Sequence, residues 1–369
     1  MGAALALAHR GLGRVWPNPA VGCVLVAPDG DVVGRGWTQP GGRPHAETEA
    51  LARAGDTARG ATAYVSLEPC SHTGKTGPCA DALIRAGITR AVIATEDPDP
   101  RVAGQGIEKL RKAGITVTVG VGRTDAERLN AGFFRRVLDN RPLVMAKFAT
   151  TLDGKVGTHR GESKWITGEA ARGWGHALRA THDALITGAS TVRVDNPDLT
   201  CRLPGMEACS PVRVVMDSRL NMPLTSRIVA TAQDFPTWVV TCEGAPRERR
   251  HALSDLGIEV IEVAPDDGGR PEVMATLCEL ATRGITRAMV EGGPHIMATF
   301  MRSGVVDRIA WFRAAGVMGG DGLPAAHGFG VDRLADMPRY VRVRTIPCAP
   351  DLLELYEIAG KTMPASREG

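Results

Sequence analysis

Aromatic residues are scarce in this 369-residue chain, where phenylalanine, tryptophan and tyrosine together make up 4%. Single strands of nucleic acid are held by stacking their bases on aromatic rings, so a surface of that kind is not on offer. A dominant charge of one sign is missing too. The formal charge is +3, with basic and acidic residues interspersed, which leaves no polybasic stripe for nucleic acid or a lipid surface. No apolar run approaches the ~20 residues that span a bilayer. The short apolar stretch 3–8 meets His9 and Arg10 at once and reads as a helix start, not a secretion signal. No Gly-x-Gly-x-x-Gly follows a strand, so the ordinary dinucleotide fingerprint is absent. The cysteines (Cys23, Cys70, Cys79, Cys201, Cys209, Cys242, Cys278 and Cys348) are scattered. A chain this long needs no disulfide framework, so reduced thiols and a cytoplasmic location are expected. The expected partner is a small molecule, with no nucleic acid and no membrane; the sequence leaves room for a homo-oligomer.

What is present is an ordinary globular composition, 43% hydrophobic and 23% charged, long enough for two domains. Residues 1–140 alternate strand-like and helix-like segments. Strands are expected at 20–26 and 31–36 as a hairpin around Pro28-Asp29-Gly30, then at 62–66, 91–94 and 116–119. Helices are expected at 44–54, 78–86, 106–113 and 124–138. This is an αβα layered domain. Asp139-Asn140-Arg141-Pro142 is a breaker, and the domain boundary is placed there. A second α/β domain spans 143–360. Its strands are expected at 143–148, 184–187, 212–216, 238–241, 259–263 and 288–290, and its helices at 169–180, 272–282 and 295–301. Two late alternating runs, 340–346 and 352–358, read as an antiparallel closing hairpin or edge.

One cluster carries chemistry. Pro44-His45-Ala46-Glu47 opens a helix, and Glu68-Pro69-Cys70 is followed by eight residues and then Cys79. One imidazole and two thiolates suit Zn2+ with its fourth position left to water, as in a catalytic site. The metal brings the water toward ionisation at neutral pH. Glu47 is not needed as a ligand, and its carboxylate can carry the proton from the water to a ring nitrogen and a leaving amine. Cys79 sits near a helix start, where the dipole favours the thiolate. An arbitrary His and two Cys are more often a surface imidazole and a buried pair. Here His-x-Glu followed by Pro-Cys matches the signature of zinc nucleobase deaminases. That signature has two residues between its cysteines, and this chain has eight.

The longer spacing belongs to a pattern of its own. Residues 67–79 (LEPCSHTGKTGPC), Pro17-Asn18-Pro19-Ala20-Val21-Gly22 and residues 97–106 (DPDPRVAGQG) resemble the deaminase half of the bifunctional riboflavin-biosynthesis deaminase/reductase family. The resemblance runs in order from about residue 4 to 357. It implies a cytidine-deaminase-like αβα domain acting on 2,5-diamino-6-ribosylamino-4(3H)-pyrimidinone 5′-phosphate. It also implies substrate contacts at Asn18, His72, Lys75 and Asp97, the His and Lys in a Gly-rich loop fit to wrap a phosphate. The chain departs at Thr38, where the family commonly has a His, and this removes a cationic substrate contact. It also starts a few residues late relative to the family's first helix, which implies an upstream start codon.

The second domain continues the resemblance. Residues 147–155 (KFATTLDGK), 162–167 (ESKWIT), 178–180 (LRA), 188–200 (GASTVRVDNPDLT) and 290–294 (VEGGP) are similar to the family's reductase half, which has a dihydrofolate-reductase-like α/β fold. Glu291-Gly292-Gly293-Pro294 has its own physics: a strand ends, glycines allow close approach, and free N–H groups at a helix start can hold a pyrophosphate. The resemblance implies NADPH at Ala149, Trp165, Thr191, Asp195, Ser218, Gly293, Pro294, His295, Ile296, Met297, Ala298 and Thr299. Substrate contacts would be Ser163, Arg179, Leu199, Arg202 and Glu291. Ser218-Arg219 would hold the 2′-phosphate, and Lys147, Asp195 and Glu291 are all candidate proton sources. Two other readings stand beside this one. A nucleic-acid base deaminase fused to an unrelated domain meets too few aromatics and too weak a basic balance. A zinc-stabilised module that only senses NADPH would have no use for Glu47.

Overall fold

The computed structural model describes residues 1–72, 77–100 and 102–360. The chain folds as two compact units, residues 1–140 and a second beginning at Arg141.

In the first unit a five-stranded sheet has the order β2-β1-β3-β4-β5. β1 (Gly22–Val26) and β2 (Val32–Trp37) form an antiparallel hairpin. β3 (Thr62–Val65) joins β1 antiparallel, and β4 (Arg90–Ile93) and β5 (Thr116–Val119) continue in parallel. Around them lie α1 (Gly2–Ala8), α2 (Ala46–Ala54), α3 (Cys79–Arg85) and α4 (Gln105–Lys112). Leu25, Ala50, Val65, Leu83, Ile93 and Leu110 belong to one apolar core between these layers. The helix expected at 124–138 is two: α5 (Arg123–Leu129) and α6 (Ala131–Asp139). Asn130 breaks it, because its buried amide accepts the Ala20 N–H and donates to the Ala20 carbonyl, both at 2.9 Å. A side chain that satisfies a distant strand end in this way competes with the helix's own ladder.

The second unit holds a nine-stranded sheet. Strands β6 (Leu143–Thr150), β8 (Ala184–Gly188), β9 (Val212–Met216), β10 (Thr237–Cys242), β11 (Glu259–Val263), β12 (Arg287–Val290) and β13 (Arg308–Arg313) run parallel. β15 (Tyr340–Cys348) and β16 (Asp351–Ile358) close one edge antiparallel. β7 (Lys155–Gly157) pairs with β14 (Leu323–Pro324) in a separate ribbon. The helices are α7 (Glu169–Ala180), α8 (Ala189–Asp195), α9 (Arg227–Ala230), α10 (Arg247–Asp255), α11 (Val273–Thr282) and α12 (Pro294–Arg302). β8, β10 and β12 are buried along almost their whole length, as parallel strands covered on both faces must be. β13, α8 and α10 are elements beyond those expected from sequence. The chain steps outward from β8 to β11, then returns through β12 between β8 and β6. That reversal opens a crevice at the carboxyl ends of β8 and β12, the usual ligand position in such sheets.

Candidate active sites

The first site forms where α2 begins. His45 is the N-cap residue, with an extended backbone, and Ala46 and Glu47 start the helix. Cys79 is the first residue of α3, and Cys70 lies on the connection that follows β3. The side chains converge: one ligand atom from each of His45, Cys70 and Cys79 lies within 4.8 Å of the others. His45 Nδ1 is 3.3 Å from Cys79 Sγ and 3.6 Å from Cys70 Sγ. A tetrahedral zinc with bonds of about 2.1 Å to nitrogen and 2.3 Å to sulfur has N···S edges of about 3.5 Å. The donor set and its spacing therefore fit that ion. Cys70 and Cys79 share a hydrogen bond that lowers the Cys70 thiol, with His45 helping, and raises that of Cys79, with burial helping. Within the protein alone the thiolate is therefore favoured on Cys70 and not on Cys79 as the helix start suggested.

Glu47 is 3% exposed. Burial, reinforced by the Cys70 charge, pushes its carboxyl up to about 7, where a carboxyl can both take and give a proton. Asn18, Thr38, Arg43, His72, Asp97 and Phe133 line the same cavity, of about 480 Å³. Burial raises Asp97 to about 6, with Glu68 adding to the effect. Lys75 lies outside the described residues. Glu68, part of the Glu-Pro-Cys motif but given no role from sequence, has one in the fold. Its carboxylate accepts backbone N–H groups of Asp97 (3.2 Å), Gly104 (2.9 Å), Gly106 (2.8 Å) and Ile107 (3.2 Å). It thereby ties the loop bearing Asp97 to the segment bearing Cys70. Only its place in Glu-Pro-Cys could have drawn notice to it.

The second site lies at the crevice of the second unit. Ala149, Ser163, Trp165, Arg179, Thr191, Asp195, Leu199, Arg202 and Glu291 line one cavity of about 380 Å³. Lys147 joins them, its Nζ 3.2 Å from Glu291 Oε1. Arg179 meets both Glu291 oxygens at 2.9 Å and also donates to the Thr200 carbonyl. Burial would raise Glu291, but Arg179 and Lys147 outweigh it and hold the group at about 2. Trp165 is 70% exposed, with the Arg172 guanidinium 4.7 Å over its ring, so it stands at the cavity mouth. Leu199 is buried with φ of 56°, the kind of backbone strain that collects at ligand sites. His176, unnoticed in the sequence, accepts the Arg202 N–H at 3.2 Å. Burial and the charges of Arg179 and Arg202 hold it down at about 4.

A third cavity of about 330 Å³ is lined by Ser218, His295, Ile296 and Thr299 together with Arg193, Arg219 and Arg270. Arg193 and Arg270 are further additions, each unremarkable in sequence and brought to this cavity only by folding. Gly293 caps α12 and Pro294 is its first residue. Met297 and Ala298 are 1% and 3% exposed, so their side chains face the interior, away from the groove.

Comparison with known proteins adds to this geometry. Residues 1–95 match the cytidine and deoxycytidylate deaminase zinc-binding region, and residues 142–347 match the RibD C-terminal domain. The riboflavin biosynthesis protein RibD of Bacillus amyloliquefaciens is 41% identical over 95% of this chain and 94% of its own. The chain belongs to the RibD family. The RibD protein of Escherichia coli is 38% identical over 92% of this chain and 93% of its own. RibD of Acinetobacter baumannii superposes with a TM-score of 0.87 at 35% identity, covering 96% of this chain and 97% of that one. A Thermotoga maritima structure described as a diaminohydroxyphosphoribosylaminopyrimidine deaminase/5-amino-6-(5-phosphoribosylamino)uracil reductase gives 0.84 at 36% identity, covering 97% of each chain. As a RibD protein, the chain is a two-activity enzyme of riboflavin biosynthesis, a zinc-type deaminase joined to an NADPH-type reductase. The αβα and dihydrofolate-reductase-like architectures expected from sequence are those of the family. Among the described residues no helix is long and apolar enough to cross a membrane.

Proposed function

We propose that residues 1–140 deaminate 2,5-diamino-6-ribosylamino-4(3H)-pyrimidinone 5′-phosphate. Residues 143–360 then reduce the ribosyl group to ribityl, giving 5-amino-6-(5-phosphoribitylamino)uracil. The observation that carries this reading is the His45–Cys70–Cys79 group beside a buried Glu47, and the two activities for which the similar Thermotoga protein is named support it.

In the first half His45, Cys70 and Cys79 would hold the zinc. The ion supplies Lewis acidity that makes a water nucleophilic at neutral pH. Glu47 takes the proton this water loses as its oxygen bonds to the amine-bearing ring carbon. It delivers that proton to the ring nitrogen, then carries the second proton from the new hydroxyl to the amine, so that the C–N bond breaks, ammonia leaves and the water oxygen stays as the carbonyl. Asn18 and Asp97 would orient the ring through hydrogen bonds, and His72 would serve the sugar phosphate, a role the family resemblance also gives to Lys75.

In the second half NADPH supplies a hydride for the ribosyl C1′. Ala149, Trp165, Thr191, Asp195 and Ser218 would contact it, with residues 293–299 presenting the start of α12 to its pyrophosphate. Ser163, Leu199 and Arg202 would hold the sugar phosphate. Arg179, committed to Glu291, positions that carboxylate. A carboxyl held at about 2 has no proton to give at neutral pH. Lys147, whose Nζ lies 3.2 Å from Glu291, and Asp195, in the same cavity, remain as the candidate proton sources for the opening sugar.

A small phosphorylated pyrimidine as substrate, and eight cysteines with no disulfide among them, fit an enzyme working in the cytoplasm. The test is incubation with the diaminopyrimidinone phosphate, with and without NADPH, following ammonia and NADPH oxidation separately. Ammonia should appear without NADPH, and NADPH oxidation should follow it. No ammonia from the zinc-loaded protein would overturn the first half of the reading.

A further inference from the structure

The deaminase cavity is lined by four carboxyl groups, Glu47, Glu68, Asp97 and Asp99. A phosphate monoester entering it needs positive charge to offset them. His45 belongs to the metal group, and His72 is an exposed imidazole at the edge. Thr38, at the position where the family commonly has a His, brings no charge. It is 2% exposed, and its hydroxyl accepts the Val21 N–H at 3.0 Å, so it serves the end of β1. The described lining residues include one guanidinium, that of Arg43.

Arg43 sits on the connection between β2 and α2, two residues before His45, with an extended backbone (φ −150°, ψ 148°). The connection is stiff. Gln39 N–H donates to the Pro44 carbonyl at 3.0 Å, Gly42 N–H to Gln39 at 2.9 Å, and Gly41 N–H to Arg14 at 2.8 Å. Gly42 has φ of +82°, and a Cβ there would lie 1.8 Å from Asn18 Nδ2. The loop therefore presses directly on Asn18, another lining residue, and fixes the point from which the Arg43 side chain leaves.

We propose that Arg43 is a specificity-determining residue of the deaminase: its guanidinium meets the substrate's phosphate monoester and takes over the cationic contact that Thr38 does not make. A planar fork of donors suits two phosphate oxygens better than a point charge does. This rests on the functional reading above.

The test measures ammonia release by the full zinc-loaded chain, with the phosphorylated pyrimidine and with its dephosphorylated riboside, for the parent, Arg43→Ala and Arg43→Lys. Zinc content is assayed on each sample. The parent should prefer the phosphorylated compound. Arg43→Ala should raise KM for that compound roughly ten- to a hundred-fold, with kcat and zinc content little changed and the riboside unaffected. Arg43→Lys should recover part of the loss. An unchanged KM in Arg43→Ala, or an equal loss on both compounds, overturns the proposal. A parent that releases ammonia from neither compound instead removes the deaminase reading itself, and this inference with it.

Discussion

Glu47 and Glu49 stand two residues apart in the first turn of α2 and differ in what the fold does to them. Glu49 points outward and pairs with Arg53 at 3.0 Å; Glu47 is buried against the metal group. Residues two apart on a helix face different sides, so only one can serve the site. Replacing Glu47 by Gln should lower the rate of ammonia release by about 10²–10⁴-fold, as loss of a general acid/base does. Zinc content should stay at the parent level, which a metal assay on the purified variant checks. Asp97 makes a different case. Burial raises its carboxyl from 3.8 to about 6, so the charged form is disfavoured in the fold. That penalty is absent below pH 3.8, grows as pH rises, and is complete above about 6. Asp97→Asn should therefore raise thermal stability at pH 8 by on the order of 2 kcal/mol. It should also impair ammonia release. Melting curves at pH 8 and near pH 4 check the sign, since the gain should vanish at the lower pH. Glu291 has the opposite sign, because its cationic neighbours hold it down at about 2. Glu291→Gln should slow NADPH oxidation while leaving ammonia release intact, and assay of the two activities on one sample would show it.

At the scale of elements, the start of α4 decides where Cys70 lies. Glu68 accepts N–H groups from Gly106 and Ile107, and the helix packs so closely that a Cβ on Gly106 would sit 2.0 Å from the Pro69 carbonyl oxygen. Gly106→Ala should push that segment away and move Cys70 off its partners. A lowered Tm and weaker zinc retention in a competition with a chelator are expected, and the reductase should be spared. The same scale shows where sequence patterns carried and where they stopped. The hairpin at Pro28-Asp29-Gly30 and the long apolar parallel strands were legible, because turn residues and continuous apolar runs are local signals. The break between α5 and α6 was not, since Asn130 acts through Ala20, 110 positions away. α10 (RERRHALSD) hides its inward face, with Leu253 buried among charged neighbours. β13 has an apolar stretch of only Ile309–Phe312, too short to separate strand from buried helix by period.

For the whole molecule, two units with separate cores carry two chemistries. Stripping the metal with a chelator should stop ammonia release and leave NADPH oxidation unchanged when the deaminated intermediate is supplied. Parallel loss of both activities would argue that the reductase needs the ion as well. Arg219→Ala should narrow the preference for NADPH over NADH, since Arg219 lines the cavity with Ser218, and cofactor KM values measure it.

By itself the sequence named a candidate donor set, offered a breaker near residue 140 and set out the alternation of strands and helices. Ligand chemistry and backbone periodicity are properties of residues and their near neighbours. Only the tertiary structure decided that Arg43 shares the cavity of Glu47, that Glu68 clamps four distant N–H groups, and that Lys147, Arg179 and Glu291 form one charged group. Those relations join residues 4 to 144 positions apart. They follow from strand order and helix packing, which place a side chain by what surrounds it in space rather than by what precedes it in the chain.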